Sequence, residues 1–335
     1  MRTVEGQPAV GDYPHLSDAG KAVSGVFQIG LVGGGRMGRT HLRALAGSSV
    51  VRIAAVAESH EGTANELRGS GQPVYPNLSA MLEGADIDGI LIAASTDQHL
   101  ALVDMVARAG LPILCEKPCG LKAAEAREAA SITSRHGVPL QVAYWRRFIP
   151  SLRDLRLRIA KGEMGTIHFT LCSQWDEAPP GTHFRARSGG IFVDMGVHEI
   201  DQIRWLTGQE VTHVDVSVFP TVEDPEVAGD VDSAQALLTL ADGSAAFVSL
   251  GRFHPGGDLV SAEVYGSRGH VRLDVLQPAD GEGPQLEALR RQAEAFSRWA
   301  LGGDCEGATI DDAISALVVA HHLSEEAGLG FLGQR

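Results

Sequence analysis

A chain of 335 residues is too long for one ordinary hydrophobic core, and with 44% apolar residues it can bury a sizeable interior, so two domains are expected. The net charge of −14 excludes non-specific binding to nucleic acid or to an anionic membrane surface, because the long-range field repels both. No apolar run approaches the roughly 18 residues that cross a bilayer, and residues 1–24 lack the apolar core of a signal peptide. That stretch reads as a flexible polar extension, and the protein is expected in the cytoplasm. The four cysteines, Cys115, Cys119, Cys172 and Cys305, are too few and too scattered for a disulfide framework or a four-thiolate zinc site. They read as small buried or half-buried thiols, and no metal is expected.

The first predicted strand, Val26–Val32, runs directly into Gly33-Gly34-Gly35-Arg36-Met37-Gly38. A strand that ends in G-x-G-x-x-G and opens a helix exposes bare backbone N–H groups at a helix N-terminus, where a pyrophosphate is accommodated. The helix that follows, Arg39–Ala46, leads to a second strand, Val51–Ala57, which delivers Glu58 twenty residues beyond Gly38. An acidic residue there accepts from the adenosine ribose hydroxyls. Three consecutive glycines alone make an ordinary loop; the flanking elements are what favour a dinucleotide site.

The alternation continues with a strand at Gly89–Ala94, a helix at Asp97–Ala109 closed by Gly110, a strand at Leu111–Cys115, a helix at Lys122–His136 closed by Gly137, and a strand at Val138–Ala143. Apolar runs alternating with helices predict a parallel sheet covered on both faces, a doubly wound domain over 25–146. Beyond it the pattern changes. A helix at 150–161 precedes a strand at Thr166–Trp175, a Gly/Pro-rich loop at Ala178–Gly190, and helical spacing from Ile191 to Leu206. Five runs follow, several with two-residue alternation: Val211–Phe219, Val231–Leu240, Ser244–Leu250, Leu259–Tyr265 and His270–Val275. Asp242-Gly243 marks a hairpin turn between two of them. Helices at Gln285–Leu301 and Thr309–Ala327 complete a second domain, α+β with a mainly antiparallel sheet, over 147–335.

Two constellations carry chemistry. Glu116-Lys117-Pro118 lies at the carboxyl end of a predicted parallel strand, where open α/β sheets place their ligand crevice. A lysine there can donate to a substrate hydroxyl, and its charge favours an alkoxide; by itself, Lys-Pro after a strand is also an ordinary turn with a solvated cation. Asp194 and His198 stand four apart, with Asp201 three further on, so all three fall along one helical stripe. An acid beside an imidazole suits a proton relay, although the same spacing also decorates ordinary helices.

With Thr96-Asp97-Gln98-His99 behind the strand at 89–94 and Asp194-Met195-Gly196-Val197-His198-Glu199-Ile200-Asp201, these motifs resemble the Gfo/Idh/MocA family of NAD(P)-dependent sugar and cyclitol oxidoreductases, from Val26 to the C-terminus. Gly-Arg-Met-Gly and His-Glu-Ile-Asp look most like inositol dehydrogenases. The resemblance implies an N-terminal Rossmann domain and a C-terminal domain whose open sheet serves a homodimer or homotetramer. It implies reversible oxidation of a secondary alcohol on a cyclitol or sugar. Lys117 would polarise the hydroxyl, and His198 would be the base, oriented by Asp194. NAD is expected ahead of NADP, held by Gly33, Gly35, Arg36, Met37, Gly38, Glu58, Ser95, Thr96, His99, Glu116 and Lys117. Trp145, Arg146, Trp175, Asp176 and Asp201 would join Lys117, Asp194 and His198 around the substrate. Trp145 departs from inositol dehydrogenases, which often carry a smaller or more flexible side chain there, and Arg185 and Arg187 read as surface residues. A dehydrogenase of a modified sugar or glycoside is the alternative, and a non-catalytic NAD(P)-binding regulator is the rival from another class.

Overall fold

The computed structural model describes residues 25–220 and 230–329; the extension expected over 1–24 lies outside them. In chain order the first segment holds β1 (Phe27–Val32), α1 (Arg36–Leu45), β2 (Val51–Ala57), α2 (Glu61–Gly69), β3 (Val74–Tyr75), α3 (Leu78–Gly84) and β4 (Gly89–Ile92). It continues through α4 (His99–Arg108), β5 (Ile113–Cys115), α5 (Ala123–His136) and β6 (Leu140–Val142). A 3-10 turn over Trp145–Phe148 precedes α6 (Pro150–Ala160), β7 (Ile167–Trp175), the single turn α7 (Thr182–Arg185) and α8 (Val197–Thr207). Then come β8 (Val211–Pro220), β9 (Val231–Leu240), β10 (Ala245–Gly251), β11 (Leu259–Gly266) and β12 (Gly269–Leu276), and last α9 (Gly283–Ala300), β13 (Ala308–Thr309) and α10 (Ile310–Glu326). Among the described residues one compact unit holds 25–145 and 286–314, and the other 146–285 and 315–329.

In the first unit the sheet order is β13-β6-β5-β4-β1-β2-β3, with β1 to β6 parallel. Strands β4 and β5 are buried along their whole length, as helices on both faces require. The order reverses at β1, which has β2 on one side and β4 on the other, so the carboxyl ends of β1 and β4 flank the crevice where such sheets bind ligands. Helices α2 and α3 have no counterpart in the sequence reading. They are nine and seven residues long, and each is started by a polar side chain, His60 accepting from the Thr63 N–H and Asn77 from the Ala80 N–H. The assignment of 147–335 to the second domain is corrected at one point: Ala308 and Thr309 of β13 pair antiparallel with Val142 and Gln141, and Phe296 of α9 meets Phe27 edge-on at 6.1 Å. A two-residue strand has no periodicity that could have announced it.

The second unit is built on a sheet of order β12-β11-β7-β10-β9-β8, antiparallel except where β7 and β10 run parallel. Alternation gives it one dry face. Thr170 and Cys172 of β7, Ala246, Val248 and Leu250 of β10, and Ala234, Ala236 and Leu238 of β9 are buried, and α8 packs on β7 and β10. On the other parity, Phe169, Leu171 and Phe247 are half-buried, while Leu237 and Tyr265 are exposed. The Asp242-Gly243 turn forms as expected: Gly243 takes φ +85° and the Asp242 carboxylate accepts from the Ser244 N–H at 2.9 Å. Three cysteines are buried as anticipated, whereas Cys305 is exposed.

Candidate active site

In the first unit the glycine motif is shaped by close approach of backbone to backbone. A Cβ on Gly33, which sits at φ +96°, would come within 2.7 Å of the Ala93 carbonyl oxygen, and one on Gly38 within 2.0 Å of that of Gly33. Gly35 is different: a Cβ there would meet nothing within 4 Å. It caps α1 without any side-chain hydrogen bond, and no acidic residue stands in the helix's first turn. The N-terminal N–H groups of α1 are therefore left to an anion, and they fit a pyrophosphate. Arg36 is exposed and Met37 half-buried at the same end. Glu58, leaving β2, accepts from the Gly34 N–H and the His60 N–H, both at 2.7 Å, which fixes its carboxylate beside the glycine turn.

At the carboxyl end of β4, Ser95 is exposed, Thr96 opens a 3-10 turn and His99 is buried at the start of α4. His99 spans two backbone carbonyls, Nδ1 lying 2.9 Å from the Pro118 oxygen and Nε2 3.0 Å from that of Ala94. Burial pushes its pKa down, against the smaller opposing pull of those carbonyls. His99 thus lies between the loop after β4 and the loop after β5, and the neutral ring that burial favours can donate to one of the two carbonyls. The second loop carries Glu116-Lys117-Pro118, with the Lys117–Pro118 peptide cis. Glu116 is buried; its Oε1 meets Nε2 of His41 at 2.7 Å and its Oε2 accepts from the Lys117 N–H at 3.2 Å. His41, fully buried on α1, was not singled out from sequence, although it lies three residues past Gly38 on the same helix. Lys117 is half-buried, and Trp145 is 6% exposed in the 3-10 turn after β6.

In the second unit the helical stripe begins in a π-helical turn over Phe192–Gly196 that runs straight into α8. Every residue of α8 up to Leu206 is buried, His198 among them. Asp194 in the π turn keeps its side chain 14% exposed and accepts from Arg252 Nη1 at 3.3 Å. Asp201 differs from the expectation of a substrate ligand: Arg147 holds both its oxygens, Nε at 3.0 Å and Nη2 at 2.5 Å, inside the protein. Arg146 likewise turns inward, bonded to Glu199 and donating to Gln174 Oε1 at 2.6 Å. Burial pushes the Glu199 carboxyl up, with Arg146 opposing it.

Gln174 continues this chain by donating to Asp176 Oδ1 at 2.9 Å. Burial also raises the Asp176 carboxyl above its usual range, and the neighbouring Asp194 and Asp258 add to the rise. Trp175 does not join the group. Strand parity turns it to the face opposite Thr170 and Cys172, where its indole lies across Gly251 and donates to Ser249 Oγ at 3.1 Å. Arg187 is exposed as expected, but Arg185 is buried and pairs with Asp230 at 2.7 Å and Asp232 at 3.0 Å.

Comparison with known proteins matches residues 27–144 to the oxidoreductase family with an NAD-binding Rossmann fold and residues 152–272 to the GFO/IDH/MocA C-terminal domain. The chain is 48% identical over 299 residues to the rhizopine catabolism protein MocA of Rhizobium meliloti, covering 89% of this chain and 94% of that one. It is 33% identical to the inositol 2-dehydrogenase of Rhizobium meliloti strain 1021, over 81% of this chain and 85% of the relative. The crystal structure of scyllo-inositol dehydrogenase from Lactobacillus casei, with bound NAD(H) and scyllo-inositol, superposes with a TM-score of 0.79 at 25% identity, over 90% of this chain and 96% of that one. No helix among the described residues is long and apolar enough to cross a membrane. An NAD-binding first domain followed by this second domain, matched along nine-tenths of its length by a relative almost half identical, makes the chain a member of the Gfo/Idh/MocA family of oxidoreductases.

Proposed function

We propose that the protein is an NAD-dependent dehydrogenase that oxidises a ring secondary alcohol of a cyclitol to the ketone, with an inositol as the leading substrate. The observation that carries this reading is the buried segment 192–206, which holds Asp194 and His198 together with the buried Glu199, Asp201 and Arg204; ionisable groups are costly there unless they are paired. Lys117 donates to the substrate hydroxyl and favours its ionised form. His198 takes the hydroxyl proton, and Asp194 stabilises the imidazolium that results. Bound NAD supplies the hydride acceptor at its nicotinamide ring. Trp145 offers an indole to the C–H face of the ring, and Asp176, braced by Gln174, accepts from a neighbouring hydroxyl. Glu58 accepts from the adenosine ribose and repels a 2′-phosphate.

The test is to follow reduced nicotinamide with myo-inositol, scyllo-inositol, hexoses and glycosides, with NAD and with NADP. The expected result is the highest kcat/KM for an inositol with NAD. A preference for glycosides identifies the modified-sugar alternative, and a preference for NADP refutes the role of Glu58.

The open face of the second sheet supports assembly as a homodimer or homotetramer, because Phe169, Leu171, Leu237, Phe247 and Tyr265 place apolar area together on it. Leu237→Arg together with Phe247→Arg is expected to sediment as a smaller species than the unaltered protein. Equal sedimentation of the two proteins would contradict this placement of the interface.

A further inference from the structure

Arg252 directly follows β10, and its side chain is the largest among the described residues that is wholly out of water. Burying a guanidinium is expensive unless carboxylates surround it. Here they form a row. Nη1 reaches Asp194 at 3.3 Å and Nη2 reaches Asp230 at 3.1 Å. Asp230 in turn accepts from Arg185, and Arg185 also pairs with Asp232. The Arg252 backbone N–H donates to the Asp232 carbonyl at 2.9 Å, which anchors the residue to the start of β9. Two cations and three carboxylates thus alternate, and the row ends on Asp194, the member whose side chain keeps the most contact with solvent.

We propose that Arg252 is the positioning residue of the reaction: it fixes the Asp194 carboxylate in place for the proton relay and sets a cation against it. This inference rests on the assignment of Asp194 to that relay. The geometry supports it in two ways. A planar guanidinium anchored between Asp230 and Asp194 sets where Asp194 can lie, which a hydrated, mobile lysine would not do. Arg252 also brings its cation to Asp194 at ion-pair distance, and several carboxylates stand nearby. Asp176 from the end of β7 interacts with both Asp194 and Asp258, and Asp230 pairs with Arg252 at the start of β9. Glu199 follows His198 on α8 and lies close enough to Asp176 to interact with it.

The experiment is the pH profile of kcat, with NAD affinity measured on the same preparations by titration calorimetry. In Arg252→Gln the acid limb should move up by about one pH unit or more, as loss of a close opposite charge does, and kcat at neutral pH should fall about tenfold while NAD affinity stays within about twofold. Arg252→Lys restores the charge and should return the limb most of the way. Asp230→Asn makes the opposite prediction: Arg252 is then shared by one carboxylate fewer, and the limb should move down. An acid limb that stays in place in Arg252→Gln overturns the inference. Should that variant not fold, an unmoved or raised limb in Asp230→Asn does the same. Asp194→Asn run in parallel separates the two levels. If it keeps its kcat, the relay itself is wrong; if it loses kcat while the Arg252 and Asp230 limbs stay fixed, the relay stands and the role of Arg252 falls.

Discussion

Replacing Lys117 by alanine is expected to lower kcat by roughly the 10²–10⁴ that follows loss of a positioned acid or base, and His198→Ala should do the same. The effect belongs to the chemical step. In the proposed mechanism one residue favours the ionised form of the reacting hydroxyl and the other takes its proton, so NAD affinity should change far less. Asp194→Asn should fall in the same range, because an imidazole without its carboxylate holds the proton less well. The double variant Lys117→Ala/His198→Ala should then lose much less than the product of the two single losses, since residues that act as a unit are strongly non-additive. Single-turnover rates measured at saturating NAD check this, and near-normal kcat in Lys117→Ala would remove it from the mechanism.

A second large effect is expected away from the chemistry. Arg147 binds both oxygens of Asp201 in a setting where the two side chains are 6% and 3% exposed, and its guanidinium also lies 5.9 Å from the centroid of the Trp205 ring. Truncating one partner of a buried pair leaves the other charge uncompensated, at a cost of about 3–5 kcal/mol. Arg147→Met should therefore lower the melting temperature of the second domain by on the order of 10 °C, and Asp201→Asn should come close to it. The variant Arg147→Met/Asp201→Leu removes both charges and should recover part of the loss. Calorimetry decides the matter. A near-normal melting temperature for Asp201→Asn, together with a raised KM, would return Asp201 to the substrate.

What the sequence made legible is set by periodicity and by backbone demands. Strands such as Val51–Ala57 and Val231–Leu240 were placed to the residue because an apolar or alternating run ends at a turn signal on each side. The Gly33–Gly38 turn was readable because few other residues survive a Cβ pressed against a carbonyl oxygen. Side-chain partners were much less legible. Arg146 reads as a substrate contact, Arg185 as a surface cation and Arg147 as neither, and each is buried on a carboxylate contributed from 45 or more residues away. No local pattern encodes such pairing. Trp175 could have been placed correctly, since the parity of Thr170 and Cys172 already assigns it to the opposite face of β7. Arg252 carried no signal at all: one arginine after a strand becomes notable only when its burial is known.

The most direct test of the account is to supply NAD with inositol deuterated at the ring carbon that is oxidised and to analyse the reduced nucleotide by mass spectrometry. One deuterium per turnover on the nicotinamide ring, with the corresponding ketone formed in equal amount, is the predicted result. NAD binding without reduced nucleotide from any cyclitol, sugar or glycoside would contradict it and leave the chain a dinucleotide-binding regulator.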